Sequence, residues 1–290
     1  MAEVLEKEKF EMEYLLHLLI ITTIYVILAQ SLSLSVGYTG LVSLSHSSFF
    51  GIGAYTTAIL CANNINSMIL SFVIAFFISF LVALIISSIS IKTIDDYFTI
   101  ITLGIQVIFI SILNNWGNLT KGSMGLMDIP PISIFSFKLE DKFEYFLLCI
   151  LFLILNWKLL KNIELSPFGR ILIALSEDEI YTMSLGKNIN QAKIVSFTIS
   201  SMIATIPGIL FAHYIQNIDP TIFSIDQSIY ILCIVIIGGM RSLFKIAIST
   251  IFLLMVPEVL RYIGLPSNIS ANMHQIIYGF LIIIVIFKSK

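Results

Sequence analysis

Residues 68–91 read MILSFVIAFFISFLVALIISSISI, an unbroken run that contains no charged side chain. A helix rises about 1.5 Å per residue, so about 20 apolar residues are enough to cross the hydrocarbon core of a bilayer. Backbone polar groups find no water at that depth, and a helix satisfies them within its own segment. The run therefore predicts a membrane-spanning helix.

The composition of the whole chain fits the same environment. Hydrophobic residues make up 58% of its 290 residues and charged residues only 12%, with a mean hydropathy of +0.98. A soluble domain is on average about 45–50% apolar and about 25% charged, so the surplus apolar surface is expected to face a lipid bilayer. The net charge of −2 offers no basic surface for nucleic acid.

The three cysteines carry no sign of a chemical site. Cys61, Cys149 and Cys233 each lie within an apolar run. Their odd number and their spacing fit neither a disulfide framework nor a metal site, and packing explains them. No metal is therefore expected in this chain.

Further apolar runs on both sides of residues 68–91 predict an all-α bundle of about 8–10 spans, forming one transmembrane domain over residues 1–290. The nine candidates are Tyr14–Val36, Val42–Cys61, Met68–Ile91, Tyr97–Leu113, Phe143–Leu160, Ala192–Ile215, Ser228–Ile237, Leu243–Tyr262 and His274–Phe287. Ser228–Ile237 is short and Val42–Cys61 is rich in small and polar residues, so each is a candidate for a broken or partly buried helix. The acidic N-terminus lacks the basic start of a secretory signal, which favours a retained first span.

Lysine and arginine predict the orientation. The loop from 161 to 193, the turn at 238–245 and the end of the chain at 288–290 carry Lys or Arg, and counting spans places all three on one side. The positive-inside rule makes that side cytoplasmic. Segments 114–142, 216–227 and 263–273 then face outward, although lysines in the first of them run against the rule. The N-terminus lies outside if every candidate crosses, and inside if one is re-entrant.

Residues 37–55 read GYTGLVSLSHSSFFGIGAY and carry the most information in the chain. If the chain is helical after Val42, small residues fall on one helix face. They are Ser43, Ser47, Gly51, Ala54 and Ala58. Such a face lets a second helix approach closely, which drives association in lipid, so the second span is predicted to be central. His46 at the edge of this face is either a functional buried ionisable group or a neutral histidine hydrogen-bonded to a neighbouring helix.

Three later stretches accompany this one in the same order along the chain. The first is DYFTIITL at 96–103 with NNW at 114–116, LTKG at 119–122, GL at 125–126 and IP at 129–130. The second is SPFGR at 166–170 with AL at 174–175, EDE at 177–179 and LG at 185–186. The third is GGM at 238–240 with PEVLR at 257–261. Together they resemble the permease subunits of branched-chain (hydrophobic) amino-acid ABC importers, in particular the M-type subunit of high-affinity leucine, isoleucine and valine systems.

The resemblance assigns roles to two sets of residues. It places a coupling loop for ATPase subunits at about 163–190, with Gly169, Arg170, Ala174, Glu177, Asp178, Glu179, Leu185 and Gly186. It places pore and helix-packing positions at Gly37, Gly40, Ser43, His46, Ser47, Gly51, Gly53, Tyr55, Gly238 and Gly239. Several positions depart from the family pattern, since Ser45, Arg241, Lys245 and Lys121 stand where glycine is usual and Ser176 where arginine is usual.

The coupling loop also makes sense from its residues alone. Ser166-Pro167 is a helix start, because proline in the first turn lacks only a donor that has no partner there. Apolar positions then alternate with Glu177, Asp178 and Glu179. A short amphipathic helix of this kind suits docking into a groove on a partner protein. The alternative is a helix lying in the lipid interface, but such helices favour Lys and Arg on the polar face.

The resemblance implies a function and a set of partners. It implies a multi-pass permease of the bacterial cytoplasmic (inner) membrane, working with a second homologous permease, two cytoplasmic ATPases and a soluble extracytoplasmic binding protein. ATP and Mg would be bound by the ATPases, and this chain would be no enzyme and hold no cofactor; no phosphate-binding loop occurs in its sequence. A urea or amide importer permease shares much of the signature. An ion-coupled secondary transporter is the alternative from another class, but it predicts convergent buried carboxylates, which are nearly absent.

Overall fold

The computed structural model describes residues 2–90, 95–134, 137–138 and 141–262, and beyond them 276–277, 279–280, 283–284 and 287. Its helices are α1 (Ala2–Thr39), α2 (His46–Ala62), α3 (Met68–Ser90), α4 (Asp95–Asn115), α5 (Gly117–Thr120), α6 (Lys142–Leu165), α7 (Pro167–Glu177), α8 (Glu179–Ser184), α9 (Ile189–Ile215), α10 (Ile225–Ile237) and α11 (Leu243–Tyr262). Single 3-10 turns cover Gly122–Met124 and Pro220–Phe223. The short strands β1 (Ser133–Ile134) and β2 (Phe137–Lys138) pair antiparallel, with Ser133 opposite Lys138.

The predicted all-α polytopic class is confirmed. Within the described part of the chain, six helices are long and apolar enough to cross a membrane, namely α1, α3, α4, α6, α9 and α11. They correspond to six of the nine predicted spans, and α3 and α11 match their predicted bounds almost to the residue. Helices α2 and α10 correspond to the two atypical spans. The last predicted span, His274–Phe287, lies mostly outside the described residues.

Three helices form the centre of the bundle. Burial covers 72% of the α9 span and 61% of the α1 span, against 22% for each of α4 and α6. Every residue of α2 from His46 to Ala58 is buried, which confirms the prediction that the second span is central. Aromatic rings fill the space between these helices, with the ring of Phe50 5.3 Å from that of Phe211 and 5.2 Å from that of Phe223. Helices α3, α4, α6 and α11 expose large apolar side chains on their outer faces, as expected of surfaces that face lipid.

Contacts between distant residues define two ends of the bundle. At one end the Lys142 ammonium lies 3.2 Å from the Glu13 carboxylate, and Leu126 pairs with Ile218 through their backbones. At the other end the Arg241 guanidinium reaches Glu177. Segments 161–193 and 238–245 therefore share one end, called here the coupling end, whereas 114–134 and 216–227 share the far end. For these segments this is the segregation that the charge pattern predicted; segments 263–273 and 288–290 lie outside the described residues.

Candidate transport and coupling site

Helix α2 starts inside the bundle, after a break. Helix α1 ends at Thr39, Gly40 takes a left-handed conformation with φ of 74°, and the chain is non-helical to Ser45. Unpaired backbone groups at such depth are tolerated only where protein groups satisfy them. Helix α4 provides these partners, because the Thr99 hydroxyl donates to the carbonyl of Val42 at 3.0 Å and the Leu44 N–H donates to the Thr102 hydroxyl at 3.1 Å.

The prediction of a helical face that includes Ser43 is wrong. Ser43 precedes α2, and its hydroxyl accepts from the N–H of Ser45 at 3.3 Å. The physical reason is that Thr99 and Thr102 of α4 bond the backbone of Val42 and Leu44, so this segment can remain non-helical. The remaining small positions are in α2, and a Cβ added at Gly51 would lie 2.7 Å from the ring of Phe109 on α4.

A close helix approach lies on a different face of α2. A Cβ added at Gly53 would overlap the carbonyl oxygen of Thr205 on α9, and a Cβ added at Gly208 would overlap the carbonyl oxygen of Phe50. Glycine on each side therefore lets the backbones of α2 and α9 touch. Tyr55, another predicted packing residue, is buried two residues after Gly53, with its ring 5.7 Å from that of Phe223.

His46 is fully buried at the start of α2 and binds α1. Its Nε2 lies 2.7 Å from the hydroxyl oxygen of Ser31. The Ser31 hydroxyl donates to the carbonyl of Leu28, so it accepts from His46, and this assigns the proton to Nε2. Among the described residues, neither Nδ1 of His46 nor the Ser47 hydroxyl has a hydrogen-bond partner. In that part of the chain no three His, Cys, Asp or Glu side chains are placed to hold a metal ion.

Helix α10 is also short, and it starts level with the start of α2. The backbone N–H of Ser47 donates to the hydroxyl of Ser228 at 3.3 Å. Gln106 of α4 joins both regions, since it accepts from the Ser48 hydroxyl and donates to the carbonyl of Phe223. Two helix N-termini, each with a partial positive charge, therefore meet inside the bundle. The sequence indicated the two atypical spans but gave no sign that they meet.

At the coupling end, α7 folds back against the end of α6. Ser166 caps α7 by accepting from the N–H of Gly169 at 3.0 Å, and Pro167 occupies its first turn. A Cβ at Gly169 would overlap the carbonyl oxygen of Ile163. Leu172 and Leu175 are buried against the bundle. The apolar face of α7 therefore packs on its own chain.

Helix α8 presents apolar side chains outward instead. Ile180 is 82% exposed, and Tyr181, Met183 and Leu185 are each at least 57% exposed. Asp178 orients the helix, because its carboxylate accepts from the N–H of Tyr181 at 2.9 Å. These four exposed side chains are called here the α8 patch. Gly186, with φ of 74°, ends the segment in a turn.

The acidic residues of the coupling loop have partners within the chain. The Glu177 carboxylate lies 3.3 Å from the Arg241 guanidinium, and the Glu179 carboxylate lies 2.9 Å from the ammonium of Lys193, which is buried at the start of α9. Asp178 caps α8 and also donates its N–H to the carbonyl of Ala174. Arg170 is exposed. Sequence reasoning assigned these acidic groups to a partner protein and missed Arg241 and Lys193 as their internal partners.

The Gly238-Gly239 turn joins α10 to α11 beside the end of α1. A Cβ at Gly238 would lie 2.7 Å from Cα of Ile246, and Gly239 takes a φ of 80°. A Cβ at Gly37 would overlap the carbonyl oxygen of Met240, so glycine at 37 lets α1 touch the turn. The predicted glycines at 37 and 238–239 are thus brought together, whereas His46 and Ser47 lie deeper in the bundle.

Six long apolar helices packed in one bundle define a polytopic helical membrane protein. The chain belongs to the family of permease components of branched-chain amino acid transport systems, whose family model matches residues 14–286.

Several curated proteins are similar to the chain. It is 30% identical over 265 residues to the high-affinity branched-chain amino acid transport system permease protein LivM of Escherichia coli, and 30% identical over 264 residues to LivM of Salmonella typhimurium. Each match covers 83% of this chain and 62% of the relative, so the chain spans less than two thirds of their length. The probable branched-chain amino acid transport permease protein LivM of Methanocaldococcus jannaschii is 24% identical, with 91% of this chain and 88% of that protein covered. No solved structure matches the chain.

Proposed function

We propose that the chain is the membrane-spanning permease subunit of an ABC importer for branched-chain or other hydrophobic amino acids. The observation that carries the proposal is the family match over residues 14–286, since that family consists of permease components of branched-chain amino acid transport systems. The six long apolar helices support residence in a membrane, and we assign it to the bacterial cytoplasmic membrane. The coupling end is then cytoplasmic.

Two cytoplasmic ATPase subunits bind ATP and Mg and drive the cycle, one of them through this chain. Their docking surface here is the α8 patch, because Ile180 and its three neighbours are apolar, exposed and displayed at the basic end of the bundle. An exposed cluster of large apolar side chains at a water-facing end is typical of a protein interaction site. The internal ion pairs of Glu177 and Glu179 hold α7 and α8 in position behind this patch.

A soluble binding protein delivers the amino acid at the far end. There Trp116, Met124 and Met127 are each more than half exposed. The backbone pairing of Leu126 with Ile218 ties their loop to the segment that leads into α10. Docking on this loop would therefore act directly on the short helix α10. A second, homologous permease completes the pore.

Reconstitution tests the proposed function. The chain is co-expressed with the ATPases, the second permease and the binding protein encoded beside it, and uptake of radiolabelled leucine into proteoliposomes is measured. ATP-dependent uptake that excess isoleucine or valine suppresses is expected. A matched preparation with an ATPase variant that cannot hydrolyse ATP serves as the control. Competition by urea and not by leucine would favour an amide importer, and ATP-independent uptake by the chain alone would overturn the proposal.

A further inference from the structure

Arg241 joins three elements at the coupling end. Its Nη2 donates to the hydroxyl of Ser176 at 2.7 Å and its Nη1 lies 3.3 Å from the carboxylate of Glu177, both at the end of α7. Its Nε donates to the carbonyl of Gly37 on α1 at 3.0 Å. Its own backbone carbonyl accepts from the hydroxyl of Tyr38, also at 3.0 Å.

The turn that carries Arg241 is closely attached to the rest of the bundle. Gly238 and Gly37 allow backbone contacts that a Cβ would prevent. Just beyond the turn, the carbonyl of Leu243 accepts from the amide of Gln30 on α1 at 3.2 Å. That amide oxygen in turn accepts from Asn156 of α6 at 3.0 Å. The end of α1, the end of α10 and the start of α11 are therefore held together around Arg241.

Helix α10 extends this path into the membrane. The C-terminal end of α10 leads into the Gly238-Gly239 turn. Near its N-terminal end, about three turns away, the Ser228 hydroxyl accepts from the backbone N–H of Ser47 at the start of α2. A helix of 13 residues with intact internal hydrogen bonds moves as a rigid rod. Helix α10 thus connects the turn that carries Arg241 with the break before α2.

We propose that Arg241 is the positioning residue that transmits movement of the α7–α8 segment to α10 and, through it, to the break before α2. The proposal rests on the proposed function, because it assumes that the α8 patch docks on an ATPase. Arg241 holds α7 and α1 in a fixed relative position, a role called here the strut. A planar guanidinium with several simultaneous donors fixes the orientation of the groups it binds. A lysine offers one point charge and does not reproduce these three directions.

The second ion pair of the segment has a different role. Glu179 binds Lys193 at the buried start of α9, so this pair anchors α8 to the bundle centre. The Arg241–Glu177 pair is exposed, with side-chain exposures of 41% and 66%. Exposed ion pairs contribute little to stability, so loss of the Arg241 contacts is expected to change coupling much more than folding.

The first test compares Arg241→Lys and Arg241→Gln with the control Lys245→Gln, which removes an exposed cation one turn along α11. Each variant is assembled with its partners, and leucine uptake per ATP hydrolysed is measured. Both Arg241 variants are expected to assemble and hydrolyse ATP, with uptake per ATP lowered about fivefold or more. Lys245→Gln is expected to match the wild type. Unchanged uptake per ATP in both Arg241 variants would overturn the strut.

A reversible cross-link separates a strut from a merely local contact. Ser176→Cys and Arg241→Cys are combined in a background where Cys61, Cys149 and Cys233 are replaced by alanine, and a bis-methanethiosulfonate reagent with a short spacer bridges the pair. The reduced protein is expected to be uncoupled, and the bridged protein is expected to regain uptake per ATP. Bridging without recovery, or full coupling in the reduced protein, would overturn the proposal. Absence of ATP-dependent uptake in the wild type would instead refute the proposed function.

Discussion

At the scale of single residues, Gly53 sets the distance between α2 and α9. A Cβ there would overlap the carbonyl oxygen of Thr205, which is backbone and has no rotamer to change. Gly53→Ala is therefore expected to push the two central helices apart, at a cost of about 1–3 kcal/mol typical of an overpacked core. A thiol-reactive dye reports the loss as a lower melting temperature, because Cys149 and Cys233 are buried in the folded protein.

Gly104 of α4 provides the matched control, since a Cβ added there would meet nothing within 4 Å. Gly104→Ala is expected to leave the melting temperature unchanged or to raise it slightly, because alanine is the better helix former. Equal melting temperatures for Gly53→Ala and Gly104→Ala would show that the α2–α9 contact has room to relax.

Single residues also show where sequence reasoning reaches its limit. The family pattern singled out Glu177, Asp178 and Glu179, but nothing local indicated that Arg241 and Lys193 would bind two of them. The Arg241 partner lies 64 residues away and is brought close only by the packing of the turn against α1. His46 left two interpretations open for the same reason, because its bond to Ser31 depends on how α1 and α2 pack.

At the scale of elements, the break before α2 depends on two threonines of α4. Thr99→Val and Thr102→Val keep the shape of each side chain but remove the donor to Val42 and the acceptor for Leu44. A fully buried backbone group left without a partner costs about 1–3 kcal/mol. These two groups are partly buried, so each variant is expected to lose somewhat less than that and to unfold more readily in denaturing detergent. Thr250→Val is the control, since this buried hydroxyl donates only within its own helix, to Ile246. Equal stability of all three variants would show that the break needs no partners.

The α8 patch belongs to the same scale, because it is a property of one short helix and the residue that ends it. Ile180→Asp with Met183→Asp replaces two exposed apolar side chains by charges, which leaves the internal packing of the chain untouched. The double variant is expected to keep the wild-type melting temperature and to lose co-purification with the ATPases. Glu179→Gln is the comparison, since it disturbs the internal pair with Lys193 and leaves the patch apolar. Retained ATPase binding by the double variant would move the docking surface elsewhere.

The bounds of elements were predictable to different degrees, for a physical reason. Lipid demands a minimum apolar length, so α3 and α11 could be located within one residue from hydropathy alone. The start of α2 was misplaced because the break is stabilised by Thr99 and Thr102, which follow it by more than 50 residues in the sequence. Hydropathy is a local property, whereas the partners that permit non-helical backbone at membrane depth are not.

At the scale of the whole molecule, contacts of α1 indicate on which side of the membrane the N-terminus lies, which span counting left open. The Glu13 carboxylate pairs with Lys142 at 3.2 Å, and the hydroxyl of Tyr14 bonds to Glu258 at the end of α11. Both partners lie at the far end, opposite the coupling segment. With the coupling end in the cytoplasm, the start of α1 is therefore expected outside.

Thiol labelling of intact cells tests this orientation. Glu11→Cys, Asn118→Cys and Lys187→Cys are introduced singly into the background that lacks the three native cysteines; all three positions are exposed. A membrane-impermeant maleimide is expected to label positions 11 and 118 from outside and to reach position 187 only after the membrane is permeabilised. Positions 11 and 118 are expected to be labelled alike, because the contact between Glu13 and Lys142 places the start of α1 at the far end, where position 118 also lies. Labelling of 118 but not of 11 in intact cells would contradict the packing of α1, and labelling of 187 there would contradict a cytoplasmic coupling end.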